Sequence, residues 1–258
     1  YTLWHTLSLH DALPIYEAFF GLGLTALADG DRAQATEQLN KASRHQSYRV
    51  PALFYLAVAS MREQRFQDAW SYVSEAMDRG CVHPDLCALA ATALRKLGRR
   101  SEAQAMIEQA EAQDALHFGA LHEGLFLADA PDKPTVEEEI HRVCDRRDHT
   151  FVGSQLYLEG ATRYVDLGLW EEAAEILNLG IDHFSEAGDV YPMLWYYLGY
   201  CRRQLGEAER ALEAYTRAAS ADAAYLFPYR PLSVQVLRAA LEANPSDAAG
   251  WLCLGNLL

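Results

Sequence analysis

Apolar and small residues recur along the chain at steps of three and four positions, and the spacing returns at intervals of 34 residues. Two series of alanines carry this interval: Ala35, Ala69 and Ala103, and then Ala42, Ala76 and Ala110. An apolar residue stands at a constant offset between the two series, as Leu39, Val73 and Ile107. Steps of three and four on both sides of a short turn predict two amphipathic helices in each repeat.

Most of the predicted turns carry a glycine at the same position. They are ADGDR at 28–32, REQRF at 62–66, KLGRR at 96–100, DLGLW at 166–170 and QLGEA at 204–208. Four of the five carry glycine where the end of a helix favours a left-handed residue. Short turns make the two helices antiparallel neighbours, and a single hairpin cannot bury its apolar stripe alone. We therefore expect hairpins that stack into a solenoid.

The repeated positions resemble those of the tetratricopeptide (TPR) repeat. One copy consists of Phe19, Leu22, Gly23, Gly30, Ala35, Leu39 and Ala42, and another of Trp195, Leu198, Gly199, Gly206, Ala211, Tyr215 and Ala218. The resemblance implies an all-α fold, a right-handed α-solenoid of helix-turn-helix repeats. The position where the family favours tyrosine is occupied here by Ala26, Ser60 and Arg202, so the first helices of those repeats pack less bulk.

The repeats divide the chain into regions. We predict three TPR-like repeats over 16–112, a degenerate helical repeat over 113–150, and further repeats over 151–258 that end in a truncated repeat. In the degenerate repeat, a first helix stops at PDKP and a second begins at Thr135, which forms a capping box with Glu138. Arg146 and Arg147 follow near the end of that second helix, as the helix dipole favours.

Residues 1–15 fit the repeat poorly. The 34-residue register calls for a small residue at position 1, where the chain has Tyr1. The stretch LSLHDALPI resembles the conceptual translation of a sequencing adaptor. We therefore expect 1–15 to be non-native or poorly docked, native protein to begin near Tyr16, and the chain to be a fragment of a longer array.

The net charge, the length of the apolar runs and the cysteine spacing indicate which partners and which compartment the protein has. The net charge is −14, which disfavours binding to nucleic-acid phosphates. No apolar run reaches the length of a membrane span, so we expect no membrane partner. The five cysteines are scattered without a C-x-x-C pair, which argues against a disulfide framework or a zinc site and favours the reducing cytoplasm.

Motifs that carry chemistry are scarce. Glu138 and His141 have the E-x-x-H spacing of iron sites in helical bundles, but the second E-x-x-H and the further carboxylates of such sites are missing. A capped, solvated helix is the simpler interpretation. No G-x-S-x-G elbow and no recognised cysteine nucleophile occurs. We predict a protein that is not an enzyme and that needs no metal and no cofactor.

The resemblance implies a binding surface, because the first helices of TPR arrays line a concave groove that takes peptides. Aromatic and basic residues there suit a peptide or helical segment with apolar anchors and acidic charge. The alternative for any single aromatic is packing between repeats, and a spacer that binds nothing remains open. The groove residues that we single out are Phe20, Phe54, Met61, Arg62, Arg95, Lys96, Tyr196, Tyr200 and Arg203.

The chain also resembles, more narrowly, the helical part of large bacterial TPR proteins that carry an uncharacterised β-rich domain. The stretches YPMLWYYLGYCRRQLGEAERALEAYTRAA and LEANPSDAAGWLCLGNLL carry that likeness. Two functions follow. The first is a bacterial protein-interaction scaffold that binds a partner segment in its groove. The second is the helical accessory region of a larger, carbohydrate-related enzyme whose catalytic domain is absent from this chain.

Overall fold

The computed structural model describes residues 3–145, 150–185, 190–222 and 226–258, with side chains from residue 13 onwards except at 150–152. Within these residues every regular element is a helix. There are fourteen: α1 (Leu3–Asp29), α2 (Arg32–Ala42), α3 (Gln46–Arg62), α4 (Phe66–Asp78), α5 (Pro84–Lys96), α6 (Arg100–Glu111), α7 (Phe118–Leu127), α8 (Lys133–Asp145), α9 (Thr150–Asp166), α10 (Trp170–Ser185), α11 (Pro192–Gln204), α12 (Ala208–Ser220), α13 (Pro231–Ala243) and α14 (Ala248–Leu257). The predicted all-α repeat fold is confirmed.

The chain divides into two compact units, Tyr1–Leu127 (unit 1) and Ala128–Leu258 (unit 2). In unit 1 the hairpins α1–α2, α3–α4 and α5–α6 follow one another, and α7 packs on α5 and α6. In unit 2, α8 packs on α9, the hairpins α9–α10 and α11–α12 follow, and α13 and α14 pack on α11 and α12. Each hairpin contacts its neighbours in sequence, as stacked helical repeats do.

The hairpin turns close in the way that the glycines predict. Gly30, Gly98, Gly168 and Gly206 have φ between +70° and +79°, and Gln64 takes the same position with φ +57°. In the turn at Gly206, the N–H of Glu207 donates to the carbonyl of Arg202 at 2.9 Å. The corresponding bond closes the other four turns. These bonds satisfy carbonyls that a helix end otherwise leaves without a partner.

Small residues let the two helices of a hairpin approach closely. A methyl group added at Gly23 would lie 2.7 Å from Cγ of Leu39, and one added at Gly199 would overlap the ring of Tyr215. Leu39 and Tyr215 are both buried. In these two hairpins the glycine of the first helix therefore makes the room that a large residue of the second helix fills.

The degenerate repeat departs from its predicted boundary. Helix α8 begins at Lys133, and the N–H of Val136 donates to the carbonyl of Asp132 at 3.3 Å. Thr135 therefore lies within the first turn and cannot be the N-cap residue, so the predicted capping box with Glu138 is wrong. Pro134 explains the shift, because its fixed φ suits the first turn of a helix. Arg146 and Arg147 lie outside the described residues.

Helix α1 runs through Pro14 and across the predicted boundary near Tyr16 without a break. Residues 1 and 2 and the side chains of 3–12 lie outside the described part of the structure. The expectation that native sequence begins near Tyr16 stays a prediction. No helix in the described residues is long and apolar enough to span a bilayer.

Candidate partner-binding surface

Aromatic rings from α1 and α3 form a continuous series in unit 1. The ring of Phe20 lies 5.8 Å from that of Tyr55 and 5.7 Å from that of Tyr48, between centroids. Phe54 meets Tyr55 edge-on at 5.4 Å. All four side chains are half-buried. The two aromatics that the sequence singled out therefore share one partly exposed surface, which we call the aromatic patch: Phe20, Tyr48, Phe54 and Tyr55.

Two predicted cations stand at the ends of neighbouring first helices in unit 1. Arg62 is the last residue of α3, and its Nη1 donates to the carbonyl of Leu27 in α1 at 3.0 Å. Lys96 is the last residue of α5, and its Nζ lies 5.8 Å from the ring of Phe66 in α4. The hydrogen bond of Arg62 therefore connects α3 with the end of α1. The side chains of Arg62 and Lys96 are both half-buried.

Arg95 is engaged in a buried ion pair. Its Nε lies 2.7 Å from Oε2 of Glu123 in α7, and the hydroxyl of Thr92 donates to Oε1 of the same carboxylate at 2.9 Å. Glu123 is 0% exposed, and the Arg95 guanidinium also lies 4.9 Å from the ring of Phe126. A buried charge needs such partners, so Arg95 links α5 to α7.

Met61 and Tyr196 are not on the surface, and we correct their assignment to a groove. Both are 0% exposed. The Tyr196 hydroxyl donates to Oδ2 of Asp247 at 2.6 Å, and Oδ1 of that carboxylate accepts the N–H of Gly250 at 2.8 Å. Asp247 is the N-cap of α14, so Tyr196 supports a helix start. Met61 is covered because it faces the packed interior of unit 1.

The remaining predicted residues lie in unit 2. Tyr200 is half-buried on α11, meets Trp170 edge-on at 6.0 Å, and has its pKa raised by burial. Arg203 is exposed, and its Nη1 lies 2.8 Å from Oε2 of Glu242 in α13. Tyr200 and Arg203 therefore occupy the last turn and a half of one helix, in a different unit from the aromatic patch.

Sequence reasoning missed Tyr48, Tyr55 and Glu123. Tyr55 directly follows Phe54, but it does not occupy a groove position of the repeat. Its neighbour Phe20 belongs to the preceding repeat, so only packing between repeats reveals their contact. Glu123 lies in the degenerate repeat, where no register connects it with Arg95.

The described residues also show how potential metal ligands and thiols are placed. Among the described residues no group of His, Cys, Asp and Glu side chains is placed to hold a metal ion. The five cysteines are free. Burial raises the pKa of Cys144 and Cys201 to about 12 and that of Cys253 to about 11, so these thiols stay protonated at neutral pH. A reactive cysteine requires the opposite shift.

A family model for the tetratricopeptide repeat matches residues 20–80 and 158–225, which together make up half of the chain. The chain belongs to the tetratricopeptide repeat family. The recognition made from Phe19, Trp195 and the residues that follow them is thereby confirmed. TPR repeats are protein-interaction modules, so their presence supports an interaction scaffold as the class of function.

Solved structures with a similar arrangement include other TPR proteins. A tetratricopeptide repeat protein from Parabacteroides merdae is 15% identical, with 93% of this chain and 97% of that chain covered and a TM-score of 0.47. PilW, a type IV pilus biogenesis factor, is 15% identical, with 93% and 98% covered and a TM-score of 0.49. YrrB, a TPR protein with an unusual peptide-binding site, is 13% identical, with 91% and 89% covered and a TM-score of 0.40. No curated protein matches the chain.

Proposed function

We propose that unit 1 binds a segment of a partner protein non-covalently, across the aromatic patch and the neighbouring ends of α3 and α5. The observation that carries this proposal is the patch itself. Phe20, Tyr55 and Phe54 contact one another in series between two repeats and still expose part of each ring. Rings held by their neighbours lose little conformational freedom when a ligand covers them, which favours aromatic anchors in interfaces.

Charge at the edge of this surface suits an acidic partner segment. The chain as a whole carries −14, yet Arg62 ends α3, the helix that carries Phe54 and Tyr55, and Lys96 ends α5, the first helix of the following repeat. A segment with acidic side chains would gain from these cations, while its apolar anchors cover the rings. The partner that we propose is therefore a peptide or helical segment with apolar anchors and acidic charge.

The proposal extends to two predicted residues of unit 2. Tyr200 and Arg203 present a half-buried ring and an exposed cation on α11. The same combination of aromatic and basic side chains supports binding there. Binding requires no cofactor and no catalytic group. We place the protein in the bacterial cytoplasm, where free cysteines such as the five in this chain are maintained.

A displayed library of random peptides tests the function of unit 1. We expect selected peptides to combine an aromatic or aliphatic anchor with aspartate or glutamate. The double variant Phe20→Ala/Phe54→Ala should bind them at least about tenfold more weakly, as is typical when anchors are removed from an interface. Lys96→Glu should weaken the acidic peptides and not neutral ones.

The matched control is Tyr72→Ala, which removes a half-buried aromatic from the second helix α4. Its affinity for the selected peptides should equal that of the wild type. Selected peptides that bind the Phe20→Ala/Phe54→Ala variant as well as the wild type would show that the aromatic patch is not the binding site. Circular dichroism should confirm that each variant keeps its helical content.

A further inference from the structure

A segment of unit 2 without helical structure lies against the first helices of its own unit. It comprises residues 226–230, sequence LFPYR, and precedes α13; we call it the 226–230 segment. The Tyr229 hydroxyl donates to Oε1 of Glu159 in α9 at 3.1 Å. Nη2 of Arg230 lies 3.1 Å from the same oxygen. One carboxylate of α9 therefore holds two consecutive side chains of the segment.

The ends of the segment are fixed by further contacts. Leu226 is buried, and its carbonyl accepts a hydrogen bond from Sγ of Cys253 in α14 at 3.8 Å. After the segment, the hydroxyl of Ser233 in α13 lies 3.0 Å from that of Tyr197 in α11. Between these points the segment has no regular secondary structure, and its aromatic residues Phe227 and Tyr229 are exposed.

The 226–230 segment and the first helices α9 and α11 line one cleft. A cleft is lined by Gln155 and Leu158 of α9, Met193 of α11, and Pro228, Tyr229 and Arg230 of the segment. Leu158 stands ten residues before Gly168, the turn glycine of its hairpin. Phe20 stands ten residues before Gly30 in the same way. Leu158 and Phe20 therefore hold equivalent positions of their repeats.

We propose that the α9–α11 face is a binding site for an extended peptide with the order proline–tyrosine–arginine, and that residues 228–230 occupy this site in cis. A partner segment with the same chemistry binds there by displacing the 226–230 segment. This inference concerns unit 2 and stands independently of the site proposed in unit 1.

The chemistry of the site explains this choice of ligand. Glu159 supplies a carboxylate that accepts from a phenol and a guanidinium together, and a planar guanidinium suits a carboxylate better than an ammonium does. Proline restricts the segment to an extended backbone before binding, which lowers the entropic cost of its docking. Leu158, Met193 and Pro228 line the same cleft, so apolar side chains of α9 and α11 are available to the proline ring of a bound peptide.

Displacement is feasible because the segment is held at a partly exposed contact. The Glu159 side chain is 48% exposed and that of Arg230 is 29% exposed, so water screens their attraction. Phe227 and Tyr229 are 66% and 63% exposed. These two exposed aromatic side chains bury little apolar surface, so they add little to the stability of the fold. They therefore oppose displacement of the 226–230 segment only weakly.

The test uses a labelled peptide of sequence Leu-Phe-Pro-Tyr-Arg-Pro and a variant chain that lacks the cis ligand. The variant carries Phe227→Gly, Pro228→Ser, Tyr229→Gly and Arg230→Ser. Fluorescence polarisation should show at least about tenfold tighter binding to this variant than to the wild type, because a tethered segment competes at an effective concentration in the millimolar range. Equal affinity for both chains, or no binding to the variant at millimolar peptide, would overturn the proposal.

Specificity for Glu159 provides the second readout. Glu159→Gln, added to the same variant, should weaken peptide binding about fivefold or more, since it removes the charge that holds the arginine. Glu171→Gln on α10 is the matched control and should leave the affinity unchanged. An effect of Glu171→Gln as large as that of Glu159→Gln would show attraction by net charge and would contradict the assigned site.

Two further variants keep the test decisive. If the four-residue variant loses its helical signal in circular dichroism, the double variant Tyr229→Ala/Arg230→Gln replaces it. We expect the same gain in peptide affinity, and an affinity equal to that of the wild type would again overturn the proposal. Phe20→Ala/Phe54→Ala should not change binding of this peptide, because those residues lie in unit 1. The inference about α9 and α11 can therefore fail or succeed separately from the function proposed for unit 1.

Discussion

At the scale of single residues, Gln64 occupies a backbone conformation that the other hairpin turns give to glycine. Its φ of +57° lies in the left-handed region, whereas Gly98 stands at the same position of the next repeat with φ +76°. A side chain in that region brings Cβ close to the following carbonyl, which costs roughly 1–2 kcal/mol. The side chain of Gln64 is exposed, so it gains no packing in return.

We predict that Gln64→Gly stabilises unit 1 by about 1 kcal/mol, because relief of the strain exceeds the entropy that glycine adds to the unfolded chain. Urea unfolding followed by circular dichroism measures this as a higher midpoint with an unchanged slope. The reciprocal variant Gly98→Gln should lower the midpoint by a similar amount. A lower midpoint for Gln64→Gly would mean that the glutamine contributes contacts beyond its backbone conformation.

Single residues also show where sequence reasoning reached its limit at the candidate site. The repeat register placed Phe20, Phe54, Arg62 and Lys96 on partly exposed surface, where the structure has them. It also assigned Tyr196 to the groove, but Tyr196 is buried, and its hydroxyl donates to Asp247, fifty-one residues later. A repeat pattern predicts the surroundings that a position has in a typical repeat. It does not predict a contact with one residue of this chain, such as Asp247.

At the scale of helices, His141 of α8 and His183 of α10 stack their rings against each other. The rings of His141 and His183 stack with centroids 4.0 Å apart and an angle of 7° between them. Nδ1 of His141 lies 2.5 Å from the Tyr157 hydroxyl of α9, and Nε2 of His183 lies 2.8 Å from Oδ1 of Asp145 in α8. Burial, and then the neighbouring His183, lower the pKa of His141.

We predict that acid weakens unit 2 through His141. Its folded-state pKa lies below the value of about 6.5 expected in the unfolded chain, so its contribution is complete above that pH and is lost as the pH falls below it. The urea midpoint should decrease as the pH is lowered from 7.5 to 5. For this one proton the free energy of unfolding should change by at most about 1.4 kcal/mol per pH unit.

The control for this prediction is His141→Gln, which keeps a hydrogen-bonding group near Tyr157 and removes the titration. Its midpoint should vary less with pH than that of the wild type over the same range. Equal pH dependence in the two proteins would assign the acid sensitivity to other groups. Cys144 and Tyr157 adjoin His141, but burial raises the pKa of both, so neither changes its protonation in this range.

Element boundaries show how local signals decide what a sequence predicts. The turn glycines predicted the ends of the first helices, because a left-handed residue is a local requirement that few side chains meet. The start of α8 was placed two residues late, because Thr135 and Glu138 imitate a capping pair while Pro134 already permits a helical turn. Where two local signals conflict, tertiary packing determines which one the helix follows. The packing of α8 on α9 cannot be inferred from Pro134, Thr135 or Glu138 alone.

At the scale of the molecule, helices pack within their own hairpin and on the neighbouring hairpins, so we expect stability to be distributed along each unit. In unit 1, α1 packs on α2 and α3, while α6 packs on α5 and α7. A solenoid of this kind transmits a local defect only through successive interfaces. This differs from a globular core, in which a defect at one point weakens every element.

Leu39→Ala tests this distribution in unit 1. Leu39 is fully buried in α2 against Gly23, so its truncation should cost about 2–5 kcal/mol locally. Hydrogen exchange should then increase most in α1, α2 and α3 and least in α6. Ile107→Ala, which opens a cavity beside Leu94 and Leu127, should give the reverse order, with α5 to α7 affected most. A uniform increase in hydrogen exchange from α1 to α7 in both variants would mean that unit 1 opens as one cooperative body. Only in that case does a cavity at one end weaken every interface between helices.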